Sequence, residues 1–237
     1  MARTTFLCSC KPAAHIAKTG QTEWSQNGRY TGMTDIPLLP QGEEKVRHTA
    51  SIVFGEGRLI DPSKIAKVIC SPRKRAQRTL ELLLEQVPDA EIKQAVKSKT
   101  ETTEDIGEWG YGDYEGLLTE QIRQLRKQRG LDTDRPWDIW RDGCEGPGGQ
   151  SPAQVTERLD RLIAQITRLQ EEGMKKQQKC DVVVVAHGHI LRAFVKRWLE
   201  FSLDAKLEMM LEPGGVCGLS YAHGSIQQRA VLVGMSL

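Results

Sequence analysis

The amino-acid sequence predicts a mostly parallel β-sheet covered by helices on both faces, a three-layer α/β/α arrangement. Strand-like and helix-like stretches alternate along the chain, the pattern of strand–helix–strand crossovers. The run "DVVVVA" passes straight into His-Gly-His and then a helical pattern, as a fully buried strand feeding a helix would. The 237 residues can bury a substantial core, and they fit one large α/β domain as well as two small ones. With no internal repeat and no low-complexity stretch, we read one domain over residues 1–237, with residues 1–12 as a disordered extension.

Taken in order, "AAHIAK" is a short strand running into the loop at Gly20. Residues Gln41–Phe54 have helical spacing, with Pro40 as the start signal. Ala66–Ser71 reads as a buried strand, and "PRKRAQRTLELLLEQV" as a helix opening with proline. Leu118–Gly130 is a charged amphipathic helix ended by glycine. Ser151–Glu172 is a long helix with serine at its cap and proline in its first turn. The stretches "GGVCGLSYA" and "RAVLVGM" close the chain as strands.

Composition removes several function classes. Lys and Arg number 33 against 31 Asp and Glu, a balance that gives no support for nucleic acid as a polyelectrolyte partner. No apolar run approaches the ~20 residues of a membrane span, and the start is too briefly apolar for a signal peptide. Cys8, Cys10, Cys70, Cys144, Cys180 and Cys217 form no CxxC pair. Scattered thiols indicate a reducing, cytoplasmic setting, and zinc is disfavoured. We expect no metal and no cofactor; the partner is a small-molecule substrate or anionic ligand, with self-association left open.

In sheets of this kind functional groups sit on loops leaving the carboxyl ends of strands. Three loops qualify: Lys18–Gly20, Ser71–Arg75 and His187–His189. Arg75 at a helix start suits a phosphate, where its fork adds to unpaired N–H groups; a solvent-facing basic helix reads equally from the same residues. His187 at a strand end is placed to donate to an anion or move a proton, or else to be satisfied within the fold. His189 reads as structural. Glu108, in the glycine-rich "GEWGYGDYEG", is placed against Trp109 and Tyr111, where a carboxyl group serves as an acid; a surface carboxylate is the plainer reading.

Together "GQTEWSQNGRYTGMTDIPL", "SPRKRA", "EWGYGDYEGLLT", "RGLDTDRPWDIWRDGCE", "VVVVAHGHILR" and "GGVCGLSYAH" resemble the histidine phosphatase superfamily, the phosphoglycerate mutase-like proteins. The "RPWDIWRDGCE" block narrows the resemblance to the fungal sugar-bisphosphatase branch, sedoheptulose-1,7-bisphosphatase-like. The resemblance implies a phosphate pocket in which Arg75 is the arginine of the helix start, His187 the second active-site histidine and Glu108 the proton donor to the leaving oxygen. Gly20 and Gly188 belong to the two phosphate-facing turns, and Tyr30, Thr31, Tyr111 and Arg141 fall where this branch lines the sugar side.

The chain departs from that family at its centre. The family opens with Arg-His-Gly, where the histidine becomes phosphorylated; here the residues are Lys18, Thr19 and Gly20. Lys18 keeps the charge without the planar fork. A threonine hydroxyl is a poor nucleophile without a dedicated base, and His15 lies too far back along its strand to stand in. Gly107 replaces the arginine that often precedes the acid, and the stretch between Trp198 and Gly214 is shorter than in sugar bisphosphatases. The leading expectation is a repurposed enzyme in which Glu108 and His187 run acid–base chemistry (dehydration, isomerisation, cyclisation or cleavage) on a small polar or anionic metabolite. The alternatives are a pseudophosphatase that binds a phosphorylated ligand or partner, a sugar-phosphate phosphatase inactivated at its nucleophile, and hydrolysis by direct attack of water.

Overall fold

The computed structural model describes residues 12–233. Its elements are β1 (Ala14–Lys18), α1 (Glu23–Asn27), α2 (Pro40–Val53), β2 (Ile65–Cys70), α3 (Lys74–Leu84), α4 (Ala90–Ser98), β3 (Thr100–Thr102), α5 (Thr119–Gln128), α6 (Ile139–Asp142), α7 (Pro152–Lys175), β4 (Asp181–Ala186), α8 (Gly188–Trp198), β5 (Val216–Tyr221) and β6 (Arg229–Leu232). The strands form one sheet in the order β3-β2-β4-β1-β5-β6. β1, β2, β3 and β4 are mutually parallel, β5 runs antiparallel to both β1 and β6, and so β5 alone opposes the rest.

Valines 182–185 are fully buried because β4 lies between β2 and β1 and both its faces are covered. Alternation along the strands divides the core in two. Ala14, Ile16, Val182 and Val184 pack with Leu159 and Leu162 of α7 and Phe194 of α8. Ala17, Val183 and Val185 pack with Val46 of α2, Leu80 of α3 and Val96 of α4. The three layers therefore come from strands apolar on both faces.

The structure shifts several boundaries. α3 begins at Lys74 rather than at Pro72, because Ser71–Arg73 carry the chain out of β2 with Arg73 extended at the cap. α7 runs on to Lys175, beyond the expected end at Glu172, and its Ser151–Gln154 capping box is formed as expected. α4 and β3 were not anticipated, although Asp89 caps α4 through the N–H groups of Glu91 and Ile92. The expected extension over residues 1–12 lies outside the described residues except for Pro12, whose carbonyl accepts a hydrogen bond from Ser220 Oγ at 2.9 Å. Cys8 and Cys10 lie outside them too; Cys70, Cys144, Cys180 and Cys217 are free thiols. Among the described residues no helix is long and apolar enough to cross a membrane.

Candidate functional site

Lys18 pairs with Ala186 in the β1–β4 ladder, so the turns after these two strands emerge side by side. Between them and the loops after β2 and β3 lies a cleft of about 380 Å³. Lys18, Thr19, Gly20, Tyr30, Thr31, Arg75, Glu108, Tyr111, His187 and Gly188 all line it. Arg141 does not: it lines an adjoining recess with Arg123 and Arg135, which meets the cleft at Tyr30, Thr119 and His189.

Arg75 and His187 are joined to one another. Arg75 Nε donates to His187 Nδ1 at 3.1 Å, and the guanidinium also donates to the carbonyls of Thr31, Gly32 and Thr34. An arginine nitrogen can only donate, so Nδ1 is the acceptor and the imidazole proton sits on Nε2, 2.7 Å from Ser71 Oγ. Burial, followed by the charges of Arg75, Arg73 and Arg158, holds His187 well below the ordinary histidine value. This imidazole is neutral, with both nitrogens engaged by protein.

Glu108 caps α8. Its Oε1 accepts from the backbone N–H groups of Trp109 and Ile190, both at 2.8 Å, and its Oε2 accepts from His189 N–H at 3.1 Å. A carboxyl group thus occupies the helix N-terminus that an anionic ligand would otherwise use. Arg158 of α7 fixes the loop beneath, donating to the carbonyls of Asp105 and Gly107 at 2.9 Å and to Gln150 Oε1 at 3.0 Å. The acid expected to be free in a pocket is a bound element of the scaffold.

The first turn is different. Thr19 N–H donates to Ala186 O and Thr19 O accepts from Gly214 N–H, which ties the backbone down. Gly20 sits so close to α2 that a Cβ there would lie 2.9 Å from Gly42 O. The side chains are less committed. Lys18 Nζ donates to Leu211 O at 2.8 Å and has no carboxylate within ion-pair distance among the described residues. Burial and then Arg192 lower its pKa from 10.5, partly offset by Glu108 and Glu212. Arg29 and Arg192 add two more cations to the lining. His15 is buried at the far end of β1, 3.8 Å from Asp181, and does not line this cleft.

Sequence reasoning missed several groups. His189, read as structural, lines the cleft; its Nδ1 lies 2.8 Å from Tyr111 Oη, and its ring stacks on Tyr30 with centroids 5.4 Å apart. Burial, then Arg192 and Lys18, lower its pKa despite Glu108. Arg192 stands four residues after Gly188, and helical spacing placed it on the cleft side. Arg158 was visible as a charge inside the apolar stripe Val155–Leu159–Leu162. Glu115 carried no signal, yet it accepts from Gly32 N–H and Thr34 N–H at 2.9 Å and so shapes the loop beside Thr31.

The family model described as histidine phosphatase superfamily (branch 1) matches residues 16–233. The chain belongs to the histidine phosphatase superfamily. Among curated superfamily relatives, it is 38% identical to the sedoheptulose 1,7-bisphosphatase of Saccharomyces cerevisiae, over 94% of this chain and 92% of the yeast protein. It is 36% identical to an acid phosphatase of Mycobacterium tuberculosis, over 92% of this chain and 90% of that one. The solved structure of open reading frame Rv3214 from Mycobacterium tuberculosis superposes with a TM-score of 0.70 at 29% identity, over 94% of this chain and 96% of its own. These likenesses establish the three-layer phosphoglycerate mutase-like architecture, and the two curated relatives are phosphatases by name.

Proposed function

We propose that the cleft binds a phosphorylated sugar and that the phosphohistidine route to its hydrolysis is interrupted at Thr19. The observation that carries this reading is the side chain at position 19. A threonine hydroxyl lines the cleft there, while His187 is closed off by Arg75 and Ser71. Lys18, Arg29 and Arg192 supply charge for an anion, and Arg123 and Arg141 in the adjoining recess supply more for a second anionic end, Arg135 there being paired with Asp142. The ligand class follows from the yeast relative, which acts on a sugar bisphosphate by name.

The hydrogen bonds argue against Glu108 and His187 as a free acid–base pair for elimination or isomerisation, since both side chains are spent on architecture. A sugar-phosphate phosphatase scaffold lacking its phosphoryl acceptor accounts for the same residues with fewer steps. The free thiols favour a reducing, cytoplasmic setting for it.

The test is calorimetric titration with sedoheptulose 1,7-bisphosphate alongside a phosphate-release assay. We expect saturable binding that Arg192→Ala weakens about tenfold, the loss of one charge-assisted contact, with no release above background. Rapid release by the unaltered chain would reject the interruption at Thr19. Failure to bind sugar bisphosphate or inorganic phosphate at all would reject the cleft.

A further inference from the structure

The structure assigns Lys18 a chemical role of its own: we propose that its amine forms a Schiff base with a phosphorylated aldehyde or ketone held in the cleft. This rests on the cleft being an anion site, and it adds an activity that none of the relatives' names describes.

Three features of position and contact support it. Lys18 Nζ faces the cleft from the end of β1, where the ladder with β4 and the bond from its own N–H to Gly215 O fix the backbone. The amine lies over the start of α8, close enough that a Cβ on residue 188 would stand 3.5 Å from Lys18 Cε. Its hydrogen bond goes to a neutral carbonyl, Leu211 O, and among the described residues no carboxylate lies within ion-pair distance of the amine. A lysine that is desolvated and set beside another cation is the recurring arrangement for an amine nucleophile; here burial acts first and then Arg192, which lines the same cleft, with Glu108 and Glu212 opposing them in part.

The reaction balances without an oxidant, reductant or cofactor. The Nζ lone pair attacks the carbonyl carbon, and the C=O π pair moves to oxygen, which takes up a proton. The resulting carbinolamine loses water as the C=N bond forms, and the proton leaving nitrogen passes to solvent. A phosphate on the same molecule, held by Arg29 and Arg192, would keep the carbonyl near Nζ by proximity. The resulting iminium withdraws electrons from the adjacent carbon and makes the hydrogen there more acidic.

The experiment uses the full chain with pyridoxal 5′-phosphate as a phosphate-bearing aldehyde, borohydride to reduce the imine, and peptide mapping of the labelled lysines. Lys18 is expected to label at least about tenfold faster than the surface lysines at neutral pH, because a phosphate held in the cleft keeps the aldehyde beside the amine. Inorganic phosphate is expected to protect it. Lys18→Arg should abolish that label while the surface lysines label as before, which ties the fast label to the Lys18 amine. If Lys18 labels no faster than surface lysines although phosphate still binds, the Schiff base is overturned and the anion cleft stands. If phosphate neither binds nor protects, both readings fail together.

Discussion

β1 and β4 lie side by side, with Lys18 opposite Ala186, yet the turns that leave them are completed in different ways. After β4, His187 is bonded to Arg75 and Ser71, and Glu108 is bonded to the N–H groups of His189 and Ile190 in the first turn of α8. After β1, the backbone is fixed but the side chains of Lys18 and Thr19 are left facing the cleft. The turn after β4 is thus the one held by the fold's own bonds, and the turn after β1 is the one whose side chains stay turned to the cleft. A polar side chain that lines a cleft can be there because the fold needs it.

The largest expected effect comes from changing the turn after β1. Lys18→Arg combined with Thr19→His puts an imidazole and a planar fork at the end of β1. Phosphate release from sugar bisphosphate should rise by roughly 10³-fold or more, the scale on which loss of a nucleophile is felt. No gain, with folding intact by circular dichroism, would mean the β4 side cannot support catalysis. Next comes the saturated turn itself. Arg75→Met removes a buried cation that serves His187 and three loop carbonyls, and it should cost about 3 kcal/mol in urea unfolding. A cost under about 1 kcal/mol would break the contrast with β1.

A smaller effect follows from pH. His187 and His189 have folded values below the ordinary 6.5, so the unfolded chain binds protons that the folded chain refuses. The stabilisation is complete above pH 6.5 and is lost as pH falls from there through the folded values, by at most about 1.4 kcal/mol per pH unit for each imidazole. Melting curves between pH 7.5 and pH 5 check this, and His187→Gln should flatten the slope. The smallest effect belongs to Thr19→Val, within about 0.5 kcal/mol, because the hydroxyl carries little of the fold.

Much of the architecture was legible because the strands that build it are apolar on both faces: "VVVVA" reads as buried wherever it is placed. α4 and β3 escaped notice because a short helix and a three-residue edge strand leave too few periods to count. The site was legible in membership and less so in role. The resemblance pointed to Glu108 and His187, and both line the cleft, but the bonds that absorb them come from α8, Arg75 and Ser71, which meet only in three dimensions. Arg141 was placed one recess away from the cleft because the α6 turn carries it past Tyr30. His189, read as structural, also borders the cleft, which was not legible because its partner Tyr111 lies 78 residues away in sequence.

The loop over Thr31–Thr34 is gripped from both sides, its carbonyls by Arg75 and its N–H groups by Glu115. A wall held in this way does not have to swing shut before a ligand is captured. Arrival is then set by diffusion and by the pull of Lys18, Arg29 and Arg192 on a dianion. In stopped-flow mixing, the association rate should fall steeply as ionic strength rises, while the rate of escape barely changes.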